Sequence, residues 1–69
     1  MRASLKSLPT GYRIELLEWP YATAQGRTVE EAIDRMIADL TRQGYSVYWR
    51  EFTSAEGAQG QRLEQLALL

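Results

Sequence analysis

The sequence predicts a two-layer α+β domain of order β-β-β-α-β, a mixed sheet with one amphipathic helix on one face. Three observations carry this expectation: one helical stripe capped at both ends, a pair of strand-like segments around a Pro-Thr-Gly turn before it, and an aromatic, β-branched run after it. A helix with an apolar stripe must bury that stripe, and the flanking strands are the surface that can receive it.

The helix spans Thr28 to Gln43, TVEEAIDRMIADLTRQ. Val29, Ala32, Ile33, Met36, Ile37 and Leu40 recur at helical spacing and form one face. Thr28 followed by Glu31 is a capping box, in which the hydroxyl takes a free amide and the carboxylate reaches back. Glu30, Glu31 and Asp34 suit the positive end of the helix dipole and Arg42 the negative end. Gly44 supplies the left-handed stop.

Arg2 to Leu8 alternates, with Ala3 and Leu5 on one side and Arg2, Ser4 and Lys6 on the other. Pro9-Thr10-Gly11 is turn chemistry. Tyr12 to Trp19 reads as the second strand of a hairpin, ended by Pro20. Tyr21 to Ala24 is a short third strand before a turn at Gln25-Gly26, where glycine provides an unusual backbone angle. Tyr45 to Thr53 (YSVYWREFT) reads as a strand after the helix, and Ser54 to Gly60 as a polar loop. Arg62 to Leu69 alternates as a strand would, although Leu63, Leu66 and Ala67 also suit a short helix; the strand is preferred. With one helix available, the second sheet face is expected to stay uncovered and to hold several of Tyr12, Trp19, Tyr45, Tyr48, Trp49 and Phe52. Such a face calls for a partner.

Composition narrows function. A chain of 69 residues is one domain, 1–69. At this size folding buries only about 60% of the unfolded surface. With no cysteine and no histidine, disulfides and nearly all zinc chemistry are excluded. Packing and self-association remain, so a homo-oligomer, dimer or tetramer, is expected. Eight basic and nine acidic residues give a net charge of −1, without a basic block, and Lys6 is the one lysine. That balance argues against a strong grip on phosphates, and no DNA partner is expected. No apolar run reaches the ~18 residues that span a bilayer, and the N-terminus lacks the apolar core of a signal peptide. The expected location is the cytoplasm, with no membrane partner.

Read as one string, Gly11 to Ala32 is GYRIELLEWPYATAQGRTVEEA. It resembles the N-terminal domain of HicB-type antitoxins. There a Gly-aromatic pair opens a strand, a proline with small residues follows, and Thr-Gln-Gly-x-Thr-x-Glu-Glu-Ala leads into a helix. Gly11, Tyr12, Pro20, Gln25, Gly26, Thr28, Glu30, Glu31 and Ala32 match that spacing, over about a third of the chain. The chain departs from the pattern at Leu17 to Ala22 (LEWPYA), where the family usually reads Asp-Leu-Pro-Gly-Cys, and at Arg27, where an aspartate is common. Family members often add a C-terminal DNA-binding domain, for which Ser54 to Leu69 is too short. The resemblance implies a partial ribonuclease H-like fold without catalysis. It also implies a small HicA-like ribonuclease toxin as partner, neutralised by covering its RNA-binding surface and active site.

The candidate partner-binding residues are Trp19, Tyr21, Tyr48, Trp49 and Arg50, because Trp and Tyr suit half-buried contact surfaces. For the two tryptophans and Tyr48, a place in the core is an equal alternative. An oligomer is expected to use sheet edges or the apolar tail of Leu63, Leu66, Leu68 and Leu69, a tail that packs on its own sheet or on a sister chain. An enzyme is disfavoured: a two-metal site of ribonuclease H type needs carboxylates, the first strand MRASLKSL has none, and Glu31 alone does not build one. No metal or cofactor is expected. A third reading, single-stranded nucleic-acid binding through Tyr45, Tyr48, Trp49 and Arg50, is weakened because strand alternation splits them between two faces.

Overall fold

The computed structural model describes residues 1–55 and 61–67. Its elements are β1 (Arg2–Leu8), β2 (Gly11–Leu16), β3 (Thr23–Gly26), α1 (Val29–Arg42), a single 3-10 turn (Trp49–Glu51), β4 (Thr53–Ser54) and a short α2 (Leu63–Ala67). The strands form one mixed sheet in the order β3-β2-β1-β4. The β1–β2 and β2–β3 pairs are antiparallel, and β4 runs parallel to β1.

The register of the hairpin, Ala3 opposite Leu16 and Leu5 opposite Ile14, gathers its apolar residues on one face. On that face α1 lays down Ala32, Ile33, Met36 and Leu40, all fully buried with Ala3 and Ile14. Each large side chain so buried contributes about 1.5–3 kcal/mol. The helix ends follow the local chemistry, except that of the expected capping box only the Thr28 half forms. Thr28 Oγ1 accepts from the Glu31 amide at 3.0 Å, and Gly44 takes φ +97° just past the last turn. The Glu31 carboxylate pairs with Arg35 at 2.9 Å.

Gly26 differs from its expectation. It is needed for close approach rather than for an unusual angle: a Cβ there would stand 2.5 Å from the Ala32 amide nitrogen and 2.8 Å from the Glu31 carbonyl carbon. Gly11 meets it from the neighbouring strand, where a Cβ would fall 2.2 Å from the Gly26 oxygen. The helix start is therefore seated directly on a two-glycine contact.

Several boundaries also move. The second strand stops at Leu16, and Leu17 to Ala22 turn the chain through a cis Trp19-Pro20 bond and a left-handed Tyr21 at φ +51°. The third strand is shifted from 21–24 to Thr23–Gly26, so the expected Gln25-Gly26 turn lies inside it. The strand expected over Tyr45 to Thr53 shrinks to Thr53–Ser54. The reason is the pull of α1: the Tyr45 amide closes onto Leu40 O at 2.9 Å. Tyr45, Val47 and Trp49 then pack against the core, and Phe52 is wholly inside it. Their β-branched and aromatic character reports a packing surface, not an extended backbone. Residues 63–67 are helical instead of extended, because Leu63 is the anchor of a turn packed on α1 and on the 3-10 turn. Of the expected polar loop, residues 56–60 lie outside the described residues, as do Leu68 and Leu69.

No described helix lies on the second sheet face, but that face is polar. Strand alternation gives it Arg2, Lys6, Arg13, Glu15, Thr23 and Gln25. Tyr12 shares the parity of Ile14 and Leu16, Trp19 lies beyond the strand, and Tyr45 to Trp49 are outside the sheet. A polar sheet face is stable in water, so it does not by itself demand a partner.

Candidate functional site

The exposed apolar surface sits at one end of the sheet, where the β2–β3 turn meets the segment after α1. Trp19 and Tyr21 are each 68% exposed, Tyr48 is 59% and Leu17 is 42%. These side chains are carried on a fixed frame. The turn is closed by the Tyr21 amide donating to Glu18 O at 3.0 Å, and by the Leu17 amide donating to Arg2 O at 3.1 Å. Trp19 and Tyr45 form a T-shaped pair, with ring centroids 5.2 Å apart and planes at 79°, a favourable aromatic geometry. That contact joins the turn to the post-helix segment.

Tyr45 and Tyr48 line one shallow depression with Ile37 and Thr41 of α1. Arg50 stacks over the Tyr48 ring at 5.8 Å, within cation–π range. A stripe therefore runs Trp19, Tyr45, Tyr48, Arg50, with Tyr21 and Leu17 on the adjoining turn. The segment is pinned from below by Trp49, whose indole N–H donates to Asp34 Oδ1 on α1 at 2.7 Å. The Glu51 carboxylate accepts from the Tyr48 amide at 3.3 Å.

Of the five residues singled out in the sequence, Trp19, Tyr21, Tyr48 and Arg50 are exposed here and Trp49 is half-buried in a structural contact. Tyr45 and Leu17 belong to the surface but were not among them. Tyr45 becomes visible only once the segment leaves the sheet, because alternation had set it apart from Tyr48. The apolar tail is corrected in part: Leu63 has no exposed surface and belongs to the chain's own core, so it is not available to a sister chain. Leu66 is partly buried against that core.

The remaining chemistry is sparse. Among the described residues no group of three or more Asp, Glu, His or Cys side chains comes together. Carboxylates are engaged in pairs: Glu31 with Arg35 at 2.9 Å, Asp39 with Arg42 at 2.5 Å, and Glu18 with Arg2 at 3.9 Å. Trp49 and Tyr45 are held by Asp34 and Trp19, so the four residues of the nucleic-acid reading do not present one free stacking platform. No described helix is long and apolar enough to cross a membrane. No protein-family model, no curated protein and no solved structure matches this chain.

Proposed function

We propose that the chain is a non-catalytic, cytoplasmic protein-binding domain of the HicB antitoxin type, self-associating, with a small ribonuclease toxin as partner. The observation that carries this reading is the aromatic stripe: three large aromatic side chains more than half exposed, on a frame fixed by hydrogen bonds and by the Trp19–Tyr45 contact. Interfaces concentrate their binding energy in Trp, Tyr and Arg clustered within a polar rim. Here Glu18, next to Trp19, and Glu51, next to Arg50, are polar neighbours of the stripe along the chain, and Arg2 joins them by pairing with Glu18 at 3.9 Å. The mixed sheet, in the order β3-β2-β1-β4 with β4 parallel to β1, supplies the α+β layer on which this reading rests. The first strand carries no carboxylate, in keeping with binding in place of catalysis.

The test is affinity capture from the native cytosol with the wild-type chain and with a Trp19→Ala/Tyr48→Ala variant, followed by mass spectrometry and an RNA-cleavage assay. The wild type is expected to hold a small basic ribonuclease at fixed stoichiometry and to suppress its cleavage, and the variant to release it. Recovery of the chain alone, or a ribonuclease that still cuts RNA when bound, would contradict the reading.

A further inference from the structure

The sheet has two edges, and the chain treats them differently. Beside β4, the Ser54 amide donates to Gln61 O at 2.9 Å and Thr53 bridges to Arg62, so β4 itself is covered. At β3 the Leu16 amide donates to Ala22 O at 2.8 Å. The antiparallel alternation then turns Ala22, Ala24 and Gly26 toward β2, and the amides and carbonyls of Thr23 and Gln25 outward. Gln25 O accepts from Arg35 Nη1 at 2.9 Å. No described residue meets the other three outward groups. The side chains here are Thr, Ala and Gln, without the lysine or proline that commonly guards an edge.

We propose that β3 pairs antiparallel with β3 of a second copy of this chain, about a two-fold axis through Ala24. The inference rests on the self-association named above and assigns it a surface other than the C-terminal leucines. Three features make the edge self-complementary. Thr23 of each copy falls opposite Gln25 of the other, so every outward amide meets an outward carbonyl, and Gln25 O keeps a lone pair for the task beside Arg35. On the polar face, the row Lys6–Arg13–Gln25 of one copy continues into Thr23–Glu15–Ser4 of the other, setting cations toward a carboxylate.

The third feature lies on the helix side. α1 runs back over β3 and β2, with Arg35 at Gln25. Four helical residues and two strand residues both advance about 6 Å, which sets Asp39 level with Thr23. Both acid and strand residue border one depression with Arg35. The two-fold then brings Arg35 of each copy beside Asp39 of the other. β3 would lie about 2.4 Å from the axis and β2 about 7 Å. Two helices above these strands stand about 10 Å apart, a distance at which helices pack. The aromatic stripe borders the opposite flank of α1, at Ile37 and Thr41, and stays open in such a dimer.

The test uses the full chain, with mass measured by light scattering and sedimentation. A particle of twice the 7.9 kDa chain mass is expected. Ala24→Cys introduces the sole thiol of the chain. It should yield a disulfide-linked dimer on mild oxidation, because facing residues of this kind have Cα atoms about 4.5 Å apart. Thr23→Lys/Gln25→Lys sets like charges opposite each other across the axis, and Thr23→Glu/Gln25→Lys sets opposite ones. The second pair should dimerise about tenfold more tightly than the first, both being checked for a native circular-dichroism spectrum. A monomer at every concentration overturns both the edge and the self-association. A dimer that ignores the charge pattern and gives no Ala24→Cys cross-link overturns the edge alone. Trp19→Ala should leave the dimer unchanged, which separates this surface from the toxin-binding one.

Discussion

The two tryptophans meet the post-helix segment in opposite ways: Trp49 belongs to it, and Trp19 packs on it from outside through Tyr45. Trp49 is half-buried, and its indole N–H is spent on Asp34. Trp19 is 68% exposed, and its ring contact is a T-shaped one with Tyr45. One fastens the segment to α1; the other is displayed by the frame so fastened. The contrast shows that residue type alone does not fix a tryptophan's place in a small domain: the one whose polar atom is satisfied internally fastens the fold, and the other is left largely in water.

Substitutions should break the fastening side hardest. Met36 lies fully buried under the sheet. Met36→Ala should cost about 2–4 kcal/mol, enough to leave a chain of this size largely unfolded, as urea titration would show. Gly26→Ala pushes a methyl group into the helix backbone and should cost about 1–3 kcal/mol, read as a lowered melting temperature. Trp49→Phe keeps the ring but loses the Asp34 bond and should cost about 1 kcal/mol. Trp19→Ala, at the display end, should stay within about 0.5 kcal/mol of wild type while abolishing capture of the partner.

How much of this was legible in the sequence follows the range of the forces involved. α1 could be placed from Thr28, Gly44 and the Val29 to Leu40 stripe because caps and periodicity act within a few residues. The β1–β2 hairpin was legible for the same reason, with Pro9-Thr10-Gly11 setting its turn. From Tyr45 onward, position depends on contacts distant in sequence: Trp49 with Asp34, Tyr45 with Trp19, Phe52 and Leu63 in a core built by residues 3–40. No local pattern encodes those, so the sequence alone suggests a strand for the aromatic run and an interface place for Leu63. The candidate site was partly visible. Trp19, Tyr21, Tyr48 and Arg50 stood out by residue type, yet the face assigned to such aromatics was wrong, because the open sheet face carries Arg2, Lys6, Arg13 and Glu15 instead.

The division between the two tryptophans can be measured directly. Trp49→Phe leaves Trp19 as the sole indole, and Trp19→Phe leaves Trp49. Acrylamide quenching of the two proteins should find Trp19 readily quenched with red-shifted emission, and Trp49 protected with bluer emission. A protected Trp19 in the isolated chain would mean that the aromatic stripe is already closed, and would contradict its role as a contact surface.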